Sequence, residues 1–487
     1  MTTTSNAPAA PATAREPAAV VPGLGTLLVV LTGVFMSTLD FFIVNVAIPS
    51  TQADLGASAA AIQWVVAGFA LSYGVGLITG GRLGDIYGRR KMYAVGMLLF
   101  AITSLACGIA PNAGILIAAR VGQGASAALM APQVLAILRT AFTGPALLKA
   151  FNAYGLTMGL AAVFGQLIGG LLIKWNPFGW DWRTCFLINL PVAAIALALV
   201  NRTIPETKAP GKPKLDLPGM ILVTGALTAV VLPLIEGREQ GWPLWTWLCF
   251  GAAAVLFIAF AEYQTFIGKR GGSPLVAPSM FKDRAFTVGL FAQLVFWMGQ
   301  ASFFLVFAIY VQNGRGLDAL GAGTIFAAIG IGYLVTSLNA SKLAKKLGPQ
   351  VLALGGVTMA VGLVILWITV ANIGIGNNIS WLIPGLVLDG AGMGMAVAPL
   401  AATVLARVNP QYAGAASGVL ATGLQIGNAI GVAIIGVIFF NSLNPANGAN
   451  AFPHAFEMGL IYLVSVGVVL ALLVQLLPNP KPAAATK

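Results

Sequence analysis

Fourteen apolar runs, each long enough to cross a bilayer, leave this chain little choice of architecture. A spanning helix needs roughly 17–25 mostly apolar residues. Such runs occupy 24–49, 59–80, 91–110, 113–138, 149–173, 184–201, 217–236, 243–266, 286–311, 321–340, 350–371, 379–406, 414–440 and 455–477. Only 8% of the residues are charged and 58% are hydrophobic, whereas a soluble domain carries about 25% charged residues. No fold with a water-facing surface can be made from this mixture. The 59 glycines suit helices that pack closely in lipid. The expected class is an all-α polytopic membrane protein.

Charge placement sets the orientation. With the N-terminus in the cytoplasm, only Lys174, Arg183, Arg238 and Arg315 fall in outer loops, and Arg120 lies inside a span. The remaining Lys and Arg are then cytoplasmic, as the positive-inside rule requires. Both termini are expected inside, and the net charge of +12 needs no nucleic-acid partner. Residues 1–20, rich in Ala, Pro and Thr, read as a disordered tail rather than a cleaved signal peptide. Cys107, Cys185 and Cys249 offer no disulfide framework or metal-ligand spacing, and His454 is the single histidine.

Two long polar links, 202–216 and 267–285, divide the helices into six, two and six. The expected units are a cytoplasmic tail (1–23), an N-terminal bundle (24–202), linkers with two inserted helices (203–285), a C-terminal bundle (286–478) and a second tail (479–487). A weak repeat supports this division. GRLGDIYGRR after helix 2 and SKLAKKLGPQ after helix 10 align Leu83 with Leu343, Gly84 with Ala344 and Gly88 with Gly348. Two bundles related by a parallel repeat are a known transporter plan.

Three charges, Asp40, Arg120 and Asp389, sit deep inside apolar runs. Each costs about 3 kcal/mol at a helix centre, so it is kept where it pairs or carries ions. Counted from the outer ends, the three lie within roughly 5 Å of one depth, which allows one polar cluster. Arg120 and Gln123 share a helix face at i, i+3. Two readings stand: a structural ion pair, or a proton-coupling group of Asp40, Arg120 and Asp389. Asp389 is also a candidate for binding a second positive charge on a substrate. Trp64, Tyr154, Gln293, Trp297, Gln300, Gln425 and Asn428 lie in central spans and could line a pocket. Aromatic faces attract organic cations, although each residue taken singly also fits packing.

The segment Gly81-Arg82-Leu83-Gly84-Asp85-Ile86-Tyr87-Gly88-Arg89-Arg90 combines glycines with breakable charge pairs. Gly81 and Gly88 permit a tight turn, and Asp85 can cap a helix start or pair with Arg89 or Arg90. A loop of this kind is a candidate latch between two states. It resembles the hallmark loop between helices 2 and 3 of the major facilitator superfamily. LDFFIVNVAIP (39–49), ARVGQGASAA (119–128), DWRTCFLINLP (181–191), LDLPG (215–219), EGREQGW (236–242) and AGAASGVLATGLQIGNAIGVA (413–433) resemble its fourteen-helix drug:proton antiporter branch. Two positions depart from that pattern. Gly165, Gln166, Gly169 and Gly170 resemble the helix 5 antiporter motif, with Gln166 where proline is usual. Phe69 stands where tyrosine is frequent. Gly155, Gly159, Ala162, Gln166 and Gly170 share one helix face, so Gln166 belongs either to a packed face or to a cavity edge.

The resemblance implies a major-facilitator-like fold of two six-helix bundles plus two inserted helices, acting by alternating access. It implies a proton-coupled exporter of lipophilic, cationic drugs or toxic compounds in a bacterial inner membrane, functioning as a monomer. The partners would be a small-molecule substrate, protons and the lipid bilayer. No phosphate-binding loop, nucleotide fingerprint or metal cluster is legible. The energy is therefore expected from an ion gradient, with no cofactor, no metal and no enzymatic activity. Export of one endogenous metabolite or lipid is an alternative. A membrane sensor or enzyme without transport is another, disfavoured by the lack of a catalytic constellation.

Overall fold

The computed structural model describes residues 23–208, 215–272, 274–276, 278–376, 378–405 and 413–477. The expected tails lie outside these residues apart from Gly23, as do Lys212, Lys214 and Arg407. Fourteen helices are long and apolar enough to span a membrane. Their main helices are α1 (Leu24–Leu55), α2 (Ala59–Tyr87), α3 (Arg89–Gly108), α4 (Ala113–Ala141), α5 (Gly144–Trp175), α6 (Asn189–Thr203, the longer part of a sixth span from Asp181 to Thr203) and α7 (Leu217–Glu239). There follow α8 (Leu244–Lys269), α9 (Arg284–Ile309), α10 (Ala319–Ser337), α11 (Gln350–Ile373), α12 (Ile383–Leu405), α13 (Ala413–Ser442) and α14 (Ala451–Gln475). Helices are the form in which each segment bonds its own backbone in lipid. Ser58, Asn112 and Asp318 cap α2, α4 and α10 by accepting from Ala61, Ile115 and Gly321, which satisfies donors that the first turn leaves free.

The sixth span runs from Asp181 to Thr203 and opens on a 3-10 turn, 181–183. Ile188 keeps helical angles, φ −59° and ψ −25°, so the helix expected over 184–201 is continuous in direction. Pro191 lacks the N–H that would bond the Leu187 carbonyl, which removes one backbone bond there.

The six-two-six plan is visible in which helices pack together. In the first bundle α1 packs on α5, α2 on α4, α3 on α4 and α3 on α6. Eight helices later the same pairs recur: α9 on α13, α10 on α12, α11 on α12 and α11 on α14. The bundles meet through α2 with α13 and α5 with α10. These contacts exchange under the same repeat. The inserted pair α7–α8 packs together, and α7 rests on α2 and α13. Only Thr246, Ala253 and Gln264 of α8 are buried, so this helix lies outside the bundles.

The segment expected as a loop after α2 is almost entirely helical. α2 runs to Tyr87 and α3 starts at Arg89, leaving Gly88 alone as the turn, with φ +114°. Its counterpart Gly348 has φ +56° and ends the short helix Ala340–Leu347. Gly88 N donates to Gly84 O at 2.9 Å, and Gly348 N donates to Ala344 O at 2.9 Å. The weak sequence repeat is thus a repeated backbone turn. Asp85 does not cap a helix start, because it lies inside the last turn of α2. The start of α3 is capped by Glu206, which accepts from Arg90 N and Lys91 N, each at 3.1 Å.

Candidate functional site

Asp40, on α1, is fully buried and accepts three side-chain hydrogen bonds. Arg120 Nη1, from α4, binds its Oδ2 in a short ion pair. Gln123 Nε2, one turn along α4, reaches Oδ1 at 2.9 Å, and Asn189 Nδ2 reaches the same oxygen at 2.7 Å. Ser104, on α3, accepts from Gln123 at 2.7 Å and from Asn189 at 3.2 Å. Arg120 also donates to Gln123 Oε1 at 2.7 Å and, through Nε, to the Val65 carbonyl at 2.9 Å. Its Nη2 has no hydrogen-bond partner. The Phe69 ring lies 4.3 Å from the guanidinium carbon, which gives the departure from tyrosine a place in the cluster through ring–cation attraction. Two opposite charges in a dry interior are stable only with this density of further hydrogen bonds. The i, i+3 spacing places Arg120 and Gln123 together. Asn189, at the start of α6, lies opposite them.

A cavity of about 620 Å³ lies beside this cluster, between the bundles. Its deep wall is aromatic, formed by Phe41 and Phe42 of α1, Tyr73 of α2, Tyr154 of α5 and Trp297 of α9. Ser37, Thr38, Gln425 and Asn428 add polar groups. Towards the α2–α3 turn the wall becomes charged, with Arg82, Asp85, Arg89 and Arg139. Asp85 pairs with Arg89 at 2.9 Å. Arg82 Nη2 donates to the Pro274 carbonyl at 2.8 Å. At the opposite end the bundles are shut. A Cβ on Gly170 of α5 would collide with the Ala319 carbonyl of α10. Nearby, Lys174 pairs with Asp318 at 3.0 Å. The Asp318 carboxyl is held below the usual carboxylate range by the Gly321 N–H first and Lys174 second.

A large cavity between two repeated six-helix bundles, closed at one end, is a transporter's architecture. A family profile described as Major Facilitator Superfamily matches residues 30–432. The chain belongs to the Major Facilitator Superfamily. It is 38% identical over 417 residues to the probable actinorhodin transporter of Streptomyces coelicolor, covering 85% of this chain and 72% of that protein. It is 33% identical over 473 residues to the puromycin resistance protein pur8 of Streptomyces alboniger, covering 94% and 92%. It is also 33% identical over 418 residues to the tetracenomycin C resistance and export protein of Streptomyces glaucescens, covering 85% and 75%. A solved auto-inhibited POT family peptide transporter superposes with a TM-score of 0.67 at 16% identity, covering 94% of this chain and 99% of that one. That likeness is one of fold alone. Its relatives' names and its fourteen spans are consistent with the fourteen-helix drug:proton antiporter branch. It is a multi-pass membrane transporter, not an enzyme.

Within this superfamily fold the residues singled out by sequence divide into groups. Asp40 and Arg120 meet, but Asp389 does not join them. The Asp389 backbone faces Gly362 of α11, and Gly390 beside it lies against Ile329 of α10. Among the described residues its helix, α12, contributes none to the cavity wall, and Asp389 Oδ2 has no hydrogen-bond partner. Tyr154, Trp297, Gln425 and Asn428 line the cavity, whereas Trp64 and Gln293 do not. Trp64 Nε1 instead donates to Glu236 of the inserted α7 at 2.8 Å. Gln166 is on a packed face: its Nε2 donates to the Phe42 carbonyl at 2.7 Å, tying α5 to α1. Gly169 approaches Ile43 of α1 and Gly170 approaches α10. Gly81, Asp85 and Arg89 border the cavity, so the candidate latch segment is also part of its wall. Gly88 and Arg90 face Glu206 instead, Arg90 Nε at 3.7 Å. A carboxylate free to receive a cationic substrate is not found on the wall, because Asp85 is already paired. Sequence reasoning did not single out Asn189, Ser104 or Arg139. The only signal for Asn189 was its place beside Pro191 in the quoted motif.

Proposed function

We propose that this protein exports lipophilic organic compounds, antibiotics among them, by proton antiport and alternating access. Its relatives are named for export of, or resistance to, such compounds, which supports drug efflux as the activity. The observation that carries the coupling is the placement of Asp40. Its carboxylate is sealed with Arg120 inside the first bundle, while the next two residues of α1, Phe41 and Phe42, form the cavity wall. A substrate pressing on those rings bears directly on the helix that holds the ion pair. Separating Asp40 from Arg120 turns a paired carboxylate into one that takes a proton. Reforming the pair expels that proton. Proton uptake and substrate occupancy are thereby exclusive states of one element, which antiport requires.

The open end is cytoplasmic in this reading, because Arg82, Arg89, Arg90 and Arg139 cluster there, in keeping with the positive-inside bias. The protein works as a monomer, since one chain encloses both the cavity and the charge cluster. The expectation that Asp389 binds a second positive charge on a substrate is not carried forward, because Asp389 is not among the cavity-lining residues. The test is reconstitution of the purified chain into proteoliposomes with a fluorescent aromatic substrate. An imposed pH gradient should drive uphill accumulation that a protonophore abolishes. Movement that only follows the substrate's own gradient would refute antiport. Uphill transport confined to one compound of a broad panel would favour a dedicated metabolite exporter.

A further inference from the structure

We propose that the cavity selects amphipathic aromatic acids, with a flat apolar body and a carboxylate or phenolate at one end, over lipophilic cations. This names the substrate class of the export site and rests on that reading. Among the described residues the charged side chains on the wall are three guanidiniums, of Arg82, Arg89 and Arg139, against one carboxylate, Asp85. Asp85 is bound to Arg89. The other deep carboxylates do not line the cavity: Asp40 is sealed with Arg120, and Asp389 is not among the lining residues. A cation entering this space meets like charge and finds no acid to pair with. An anion meets the opposite field, in surroundings where Coulomb interactions are stronger than in water.

Arg139 carries the argument furthest. It ends α4 at the cavity mouth, is exposed, and takes part in none of the ion pairs among the described residues. Its recorded neighbour is the Phe151 ring, 5.9 Å from the guanidinium carbon. A guanidinium presents a planar fork that matches a carboxylate. The body of such a molecule would stack on Tyr154, one turn along α5 from the Phe151 ring beside Arg139, with Tyr73 also on the wall. Asn428 adds an unused acceptor there, since its Nδ2 donates to Gln425 Oε1 at 3.3 Å while its Oδ1 has no partner. A ligand hydroxyl or amide N–H would fill that vacancy. The charge class also suits the driving force. Exchanging one entering proton for one leaving monoanion carries two positive charges inward, so an inside-negative potential and a pH gradient both drive it.

The experiment uses the full chain in nanodiscs and three probes sharing one body: 1-pyrenebutyrate, its primary amide and 1-pyrenebutylamine. Fluorescence titration should give roughly threefold tighter binding for the acid than for the amide, with the amine weakest, the size expected of an exposed charge pair. Arg139→Gln should remove most of the acid's advantage while changing the amide less than about twofold. Arg139→Lys should keep part of it. Equal binding of the three, a preference for the amine, absence of acid binding, or equal weakening of all three by Arg139→Gln would each overturn the proposal. If the acid preference holds but no probe moves uphill in proteoliposomes, the export reading fails and the ligand class stands.

Discussion

Asp40 and Arg120 hold each other where neither could remain charged alone. Replacing Asp40 by Asn leaves the Arg120 charge buried and unpaired, a loss of about 3–5 kcal/mol. Asp40→Asn should therefore lower the thermal unfolding midpoint measurably, and adding Arg120→Gln should recover most of it. A single variant as stable as the parent would mean that Arg120 finds another counter-charge. Asn189→Ala should cost about 1.5–3 kcal/mol, the worth of a hydrogen bond to a charged group, read in the same unfolding assay. The two charges were legible in the sequence because a charge in an apolar run is costly and demands a reason. Asn189 and Ser104 were not, because neutral polar side chains in spans are cheap and common. Asp389 misled for a related reason. Depth along a helix is readable from residue counts, but the direction a side chain faces is not.

At the scale of elements, helices and their ends followed from apolar run length and capping residues. The helical character of 81–90 did not, since it depends on one backbone position, Gly88. Its φ of +114° and the Glu206 carboxylate beside it leave no room for a side chain. Gly88→Leu should cost about 1–3 kcal/mol of strain and loosen α3 from its cap. Substrate turnover should fall while probe affinity changes little. A collapse of affinity with normal turnover would show that the turn acts on the wall alone. At the closed end, Lys174 and Asp318 join α5 to α10. The Asp318 carboxyl is held low, so the pair's contribution is complete at neutral pH and is lost as pH falls through that lowered value. Asp318→Asn should raise the labelling rate of an Ala319→Cys probe at pH 7 and remove any further rise on acidification. An unchanged rate would mean that glycine packing alone shuts this end. The effect should be small, because exposed pairs contribute little.

For the whole molecule, composition dictated spanning helices and the polar links indicated six, two and six. The weak repeat after helices 2 and 10 pointed to a relation eight helices apart, but it did not reveal which helices pack together, because packing partners depend on faces hidden in uniformly apolar runs. Nor did it reveal that the inserted α7 leans on the seam between α2 and α13. Beside that seam, Asp216 accepts from Gln264 at 2.7 Å and Leu275 N at 3.3 Å, while the Pro274 carbonyl receives Arg82. The linker is thus bonded to the cavity mouth. Orientation remains a whole-molecule proposal: a protease site placed at the N-terminus should be cut only from the cytoplasmic face of inverted vesicles, and protection there would reverse the assignment. The central claim is that Asp40 carries the coupled proton. The most direct test is pH-gradient-driven transport by the double variant Asp40→Asn, Arg120→Gln in proteoliposomes, with its folding verified by thermal unfolding. The account predicts folded protein that still equilibrates substrate down its own gradient but accumulates none against it. Uphill accumulation near the parent's level would contradict the account and leave the pair a structural one.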